Sequence, residues 1–344
     1  MPPMSALRKP ATMRDVAHRA GVSIQTVSAV INGKPAITRE TTERVRAAIQ
    51  ELGYRPFAIA QSLRTGQTRS VALIVSDIAN PSFATLASAA EDFAHARGYA
   101  LVLYNTHDDI VRETGYIHAA VQRWLDGALF VSAEDKATSL DAFAAAGIPV
   151  VAIDRIPEGY AGPSVTLDNV KAGRMAAEHL LGLGHTNLAH ISGPLRLRLA
   201  RERLAGFRQA IEERGLSMAA CTGGEGSWEC AAGSRAMREI LARSPRPTAV
   251  FSANDRMAIG AVRAIHEAGL RVPDDISVVG LDDIEVAAYQ NPPLTTVRQS
   301  FARLGAAGLQ LLLEIVAGET PAQTQIVMAP ELVVRRSTRA CAAG

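Results

Sequence analysis

From Ser70 onward, short and wholly apolar runs alternate with amphipathic stretches of helical length, and this alternation leaves few folds open. VALIVS (71–76), YALVLY (99–104), ALFVS (128–132) and IPVVAID (148–154) are too short for buried helices and read as strands covered on both sides. Helical patterns at 82–97, about 109–123 and 136–146 separate them. Repetition of this kind builds a parallel sheet with helices on both faces. The pattern then restarts with VTLD (165–168), a helix at 170–183, NLAHIS (187–192), helices at about 199–214 and 229–243, TAVFS (248–252), a helix at 255–268 and ISVVGLDD (276–283). TTV (295–297), a helix at 301–317 and the runs QIVMA and LVVRR come last. The restart predicts two similar α/β lobes within 70–339, the first covering about 70–163 and 296–322, the second about 164–295 and 323–339.

Ligands of such sheets sit outside the carboxyl ends of the strands. Ser76-Asp77, Asp154-Arg155, Asn254-Asp255 and Asp282-Asp283 each follow an apolar strand directly. One such pair reads as a helix cap. Four of them, drawn from both lobes, favour a polar small-molecule site in a shared cleft.

The first 56 residues have a different character. Met13–Ala20 places Met13, Val16, Ala17 and Ala20 on one helical face, and Gly21 ends that helix. Ser23 stands as the N-cap of a second helix with the stripe Val27, Val30 and Ile31. Thr38–Leu52 supplies a third helix, which faces Val45, Ala48, Ile49 and Leu52 inward and ends at Gly53. Residues 12–56 thus read as an all-α helix-turn-helix domain whose second helix suits the DNA major groove. Charge supports this. Residues 1–64 hold ten Lys/Arg against four Asp/Glu, a net +6 in a chain of net +2. Basic charge gathered at one end suits phosphate contact. Residues 1–11 read as a mobile basic arm, and 57–69 as a linker whose FAIAQSLR (57–64) can form two helical turns on contact.

Other classes find little support. Three cysteines, without metal-ligand spacing among His or Cys, suggest a reducing cytoplasm and no metal site. No apolar run approaches 18 residues, so no membrane span is expected. No G-x-S-x-G elbow, phosphate-binding loop, H-E-x-x-H or nucleophile–base pair stands out, so neither an enzyme nor a cofactor is expected. A transport binding protein of the same two-lobed fold needs a signal peptide and no DNA-binding head.

With these residues laid out, the chain resembles the LacI/GalR family of bacterial transcriptional regulators from about Thr12 to Arg336. VSIQTVSAVIN (22–32) looks like that family's recognition-helix signature and YRPFAIAQSLR (54–64) like its hinge. DIANPSF (77–83), DR (154–155), GHTNLAHISGP (184–194), RERLAGF (201–207), ANDRMAIGA (253–261), DISVVGLDD (275–283) and PPLTTVRQ (292–299) look like its regulatory-domain signatures, in order.

The resemblance implies a cytoplasmic homodimer on double-stranded operator DNA with an inverted repeat. Ile24 and Gln25 would face base edges, with Gln able to pair with adenine and Ile to touch a thymine methyl. Thr26, Ser28 and Asn32 would hold phosphates. Ala29 stands where the family usually has Arg, so the half-site need not follow the family's. In the hinge, Leu63 would wedge into the minor groove with Ala60 beside it, while Phe57 occupies a place where Asn is common. The implied effector set is Asn80, Phe83, Asp154, Arg155, Arg203, Trp228, Asn254, Asp282 and Gln299. Carboxylates, amides and aromatics together suit a sugar, and Ser82 replaces a second Phe found in ribose-type sites. A purine or a sugar phosphate is the alternative effector, and a sugar-active enzyme with a DNA-binding head the alternative class. The tail after Arg336 lacks leucine heptads, so a dimer is expected, not a tetramer.

Overall fold

A computed structural model describes residues 11–33, 35, 37–54, 67–136, 140–218, 220–223 and 227–341. The chain divides into two compact units at Thr68/Arg69. The expected basic arm and nearly all of the hinge, including Ala60 and Leu63, lie outside the described residues.

In the first unit, α1 (Met13–Ala20) opens with a capping box. Thr12 accepts from the Asp15 amide while Asp15 accepts from the Thr12 amide. Gly21 takes the left-handed conformation (φ 63°), which only a residue without Cβ adopts at low cost, and turns the chain into α2 (Ile24–Ile31). Ser23 caps α2, and Thr38 caps α3 (Arg39–Leu52). Val16, Ala17, Ala20, Val27, Val30, Val45 and Ala48 form the core, as the periodicity predicts. Tyr54 joins them, buried just beyond α3. Arg44 donates to the Ala20 carbonyl at 2.9 Å, and Arg19 pairs with Glu51, tying α1 and its turn to α3.

The second unit holds two six-stranded sheets. The first runs β11 (Gln325–Met328), β5 (Ser164–Leu167), β4 (Val150–Ile153), β3 (Gly127–Phe130), β1 (Ser70–Val75), β2 (Ala100–Asn105), all parallel. The second runs β12 (Glu331–Val333), β10 (Thr295–Arg298), β9 (Ser277–Asp282), β8 (Ala249–Ser252), β6 (Leu188–Ser192), β7 (Ala220–Gly223), with only β12 antiparallel. Helices α4 (Pro81–His95) and α11 (Phe301–Val316) cover one face of the first sheet. Helices α5 (Ile110–Gln122) and α6 (Asp141–Ala145) cover the other. In the second lobe α7 (Asn169–Gly182) packs with α8 (Arg198–Glu212), and α9 (Cys230–Leu241) with α10 (Asp255–Glu267). Each pair meets at glycine: a Cβ on Gly173 would lie 1.9 Å from the Arg203 carbonyl oxygen, and one on Gly260 would lie 1.8 Å from that of Cys230.

The expected lobe boundaries need correction. Residues 164–167 and 325–328, assigned by the sequence reading to the second lobe, pair within the first sheet, and β10 belongs to the second. A four-residue apolar run shows that it is a strand but not which sheet it joins; pairing decides that. The lobes are therefore linked by three crossings, after β5, after β10 and between β11 and β12. Strand β7 was not anticipated, because ACTG has neither alternation nor apolar continuity and pairs only at the sheet edge, with β6. The expected helix at 136–146 is confined to Asp141–Ala145, and 137–139 lie outside the described residues.

Candidate functional site

The two units carry two separate groups of candidate residues. On α2, Ile24 is 42% exposed and contributes nothing to the core, and Gln25 is exposed beside it. Thr26, Ser28, Ala29 and Asn32 are half-buried. The Thr26 hydroxyl meets Ser23 Oγ at 2.9 Å, and the Asn32 amide donates to the Ser28 carbonyl and lies 3.3 Å from its hydroxyl. These local bonds orient the Thr26, Ser28 and Asn32 side chains along α2.

In the second unit the candidates come from both lobes. Asp154 follows β4 and Asp282 ends β9, each with positive φ (62° and 117°), so both carboxyls project from strained turns at the strand ends. Asn80 caps α4, accepting from the Ser82 amide at 3.2 Å. Asn254 caps α10 in the same way, accepting from Met257, and donates to the Trp228 carbonyl at 3.0 Å. Gly193 leaves room for Trp228, since a Cβ there would lie 2.1 Å from the indole.

Arg203, buried on α8, organises the centre. Its Nε donates to Asn169 Oδ1 at 2.9 Å, Nη1 to the Ala253 carbonyl at 2.7 Å and Nη2 to Gln299 Oε1 at 3.2 Å. The amide nitrogen of Gln299 donates onward to Asp154 Oδ1 at 2.6 Å. This chain of bonds starts in the second lobe, passes through a residue on the second crossing and ends in the first lobe. Ser82 and Asp282 make another inter-lobe contact at 3.5 Å. Arg155 pairs with Asp108, and its guanidinium lies 5.5 Å from the Phe83 ring centre and 5.8 Å from that of Trp228.

Charge in this space is held under strain. Burial pushes the Asp282 carboxyl well above the usual range, with Asp255 and Asp154 adding to the rise and Arg203 opposing it. Burial likewise lowers the Arg203 pKa, against the pull of Asp282 and Asp154. The indole Nε1 of Trp228 is buried without a hydrogen-bond partner among the described residues.

Eight of the nine expected effector residues line one cavity: Asn80, Phe83, Asp154, Arg155, Arg203, Trp228, Asn254 and Asp282. Gln299 lies outside the lining and acts as the tie between Arg203 and Asp154. Leu199 and Phe301 complete the walls. Nothing in their sequence context distinguished them from core; both stand in the first turn of helices aimed at the cleft, a signal available only with topology. Phe301 meets Phe83 edge to face at 6.0 Å. Of the four polar strand-end pairs, three reach the cavity, one with both members (Asp154 and Arg155) and two with one member each (Asn254 and Asp282). Asp255 instead turns into the second lobe, Asp283 pairs with Arg298 and Arg335, and Asp77 reaches Arg256 across the lobes at 3.5 Å. The cavity encloses about 20 Å³, room for roughly one water. Admitting a ring therefore requires the lobes or the Arg155 and Trp228 side chains to move.

A helix-turn-helix unit joined to a two-lobed α/β domain, with convergent polar groups between the lobes, invites comparison with known proteins. The model of bacterial regulatory proteins of the lacI family matches residues 12–56, and that of a periplasmic binding protein-like domain matches 177–338. HTH-type transcriptional repressor PurR of Pasteurella multocida is 39% identical over 330 residues, 96% of this chain and 99% of that protein. The chain belongs to the lacI family of bacterial regulatory proteins. Another member, the ribose operon repressor of Escherichia coli K12, is 37% identical over 95% of this chain and 99% of its own length. Among solved structures, the lac repressor dimer bound to operator and the anti-inducer ONPF superposes with a TM-score of 0.89 at 33% identity, over 96% of this chain and all of that one. The complex of the regulator CelR with cellobiose gives 0.73 at 34% identity, over 95% and 99%. As a lacI-family member the protein is a DNA-binding transcriptional repressor with an effector-binding domain. Among its described residues no helix is long and apolar enough to cross a membrane.

Proposed function

We propose that this repressor binds an inverted-repeat operator as a homodimer and that a sugar held between the lobes sets its DNA affinity. The observation that carries the effector reading is the pairing of two aromatic faces, Phe83 and Trp228, with a buried cluster of two carboxyls, Asp154 and Asp282, and two guanidiniums, Arg155 and Arg203. A pyranose or furanose offers an apolar face for the rings and hydroxyls for Asp154, Asp282 and Arg203. A ring or hydroxyl oxygen would satisfy the orphaned Trp228 Nε1. The relatives' names support two readings. The ribose operon repressor and the CelR–cellobiose complex agree with a sugar, and the PurR relatives support a purine as the second reading.

On DNA, Ile24 and Gln25 would read base edges, with Ile24 against a thymine methyl and Gln25 on adenine. Thr26, Ser28 and Asn32 would set register on phosphates. Ala29 brings no guanidinium to guanine. In the hinge, Leu63 would wedge a base step with Ala60 alongside. Effector binding would change the angle between lobes and so the ordering of paired hinge segments. The change in operator affinity must equal the effector's differential affinity for the two forms.

The test is Trp228 fluorescence and calorimetry of the full chain against single sugars, sugar phosphates and purines. A sugar should bind, and Asp282→Ala should abolish binding. Tighter binding of hypoxanthine or guanine than of any sugar would overturn the sugar reading in favour of the purine.

A further inference from the structure

A second space, of about 160 Å³, opens beside the cleft. The first lobe contributes Asp154 and Thr166, and the second contributes Asn169, Arg198, Leu199 and Glu202 from the starts of α7 and α8. Asp154 and Leu199 line both spaces, so the two adjoin at these residues. Asp154 accepts from Gln299 on one carboxylate oxygen and lines the outer chamber as well as the cleft. A ligand that engages Asp154 from the cleft therefore extends naturally past it.

The chamber's chemistry narrows what that extension is. Its charged lining is Asp154 and Glu202 against Arg198, and Arg198 is already paired with Glu202 at 2.6 Å. Arg201, on the same helix as Arg198 and Glu202, is itself paired with Asp135 and Glu158 at 2.8 and 3.6 Å. Carboxylates thus outnumber guanidiniums, and the guanidiniums are committed. A phosphate entering here would meet net repulsion. Hydroxyls would find acceptors in Glu202 and Asp154, and Thr166 adds a hydroxyl of its own.

We propose that the effector has two parts, an inner ring between Phe83 and Trp228 and an outer, neutral polyhydroxyl ring seated in this chamber against Asp154, Thr166 and Glu202. Both a disaccharide and a nucleoside have that chemistry, whereas a nucleotide or a phosphorylated disaccharide does not. The inference rests on the reading of the cleft as the effector site, and it specifies the ligand's size and charge.

Calorimetry of the full-length protein separates the possibilities. The probes are glucose and ribose, their methyl glycosides, cellobiose and maltose, maltose 1-phosphate, hypoxanthine, inosine and inosine 5′-monophosphate. A two-ring neutral probe should bind at least ~10-fold more tightly than its inner ring alone, the worth of one or two added hydrogen bonds to charged groups. The disaccharide and nucleoside arms identify which inner ring is used. Glu202→Gln should weaken that probe while improving binding of its phosphorylated counterpart, a change of opposite sign that general damage to the fold cannot produce. Thr166→Val, which also removes a bond to the Asp154 carbonyl, should weaken the two-ring probe more than the single ring. Equal affinity for one-ring and two-ring probes, insensitive to Glu202→Gln, overturns the outer site and leaves the cleft reading intact. No binding by any probe overturns the cleft reading and the outer site together.

Discussion

Gln299 donates its side-chain amide to Asp154 across 2.6 Å, and this bond ties the second crossing between the lobes to the wall of the cleft. Its carbonyl oxygen meanwhile accepts from Arg203. One amide thus uses its donor and acceptor ends on opposite lobes, an arrangement that no isosteric carboxylate or apolar side chain reproduces. Gln299→Leu leaves a buried carboxyl and a buried guanidinium each short of a partner, and should destabilise the protein by about 2 kcal/mol or more. Gln299→Glu should be less damaging to Arg203 and more damaging to Asp154. Denaturant melts of the two variants, with effector titrations beside them, check this.

The glycine contact of α7 with α8 sets where Arg203 stands. The Cβ of Gly173→Ala would meet the Arg203 carbonyl oxygen at 1.9 Å, and that of Gly206→Ala would meet the Val170 carbonyl oxygen at 1.9 Å. The helices must part, so either change should cost about 3 kcal/mol. Effector affinity should fall with stability, because Arg203 moves with its helix. Alanine at Gly215, whose Cβ would meet nothing within 4 Å but whose φ is 69°, should cost less and leave effector affinity unchanged. Thermal melts and ligand titrations compare the three.

Much of this arrangement is legible in the sequence. The helix-turn-helix core follows from apolar spacing and caps at Ser23 and Thr38, because those rules act within a few residues. Asp154, Asn254 and Asp282 could be found because a polar residue at the end of an apolar strand is local information. Lobe membership could not, since whether β5 joins β4 or starts a new sheet depends on partners far along the chain. Leu199 and Phe301 were hidden for a related reason: an apolar residue beside a ligand looks the same in sequence as one in a core. The Arg203–Gln299–Asp154 relay spans 145 residues between its last two members, and only the fold brings them together.

Asp255 gives the second lobe a pH dependence of definite sign. It is fully buried, accepts from Thr296 at 2.6 Å and from the Ile284 amide at 2.9 Å, and burial raises its pKa from 3.8 to about 7. A carboxyl with a raised folded-state pKa contributes stability that is present below the unfolded value and lost as pH rises through the folded one. The window is therefore pH 3.8 to 7, and the shift corresponds to roughly 4 kcal/mol across it. Asp255→Asn removes the ionisation, so the variant should gain on the wild type as pH rises through that window. Parallel melts from pH 4 to 8 read this, and a constant difference between the two proteins would contradict it.

On the DNA side, Gln25→Ala should weaken operator binding by about 1–3 kcal/mol and relax preference at one base pair of each half-site. Ala29→Arg adds a guanidinium on the same helix and should redirect preference toward guanine at a neighbouring position. Selection from randomised duplexes with each variant reports both effects. A uniform loss for Gln25→Ala across all sequences would place that side chain on phosphate instead.

The most direct measurement of the whole account is operator affinity with and without a saturating cleft ligand, on an operator selected from random duplexes by the wild-type protein. The selected site should be an inverted repeat, and the ligand should change its affinity at least ~5-fold, the low end of usual coupling between sites. In Arg203→Ala and Asp282→Ala the same ligand should change nothing. A ligand shown by calorimetry to bind the cleft, with wild-type operator affinity unaltered at saturation, would contradict control of the DNA-reading head from between the lobes.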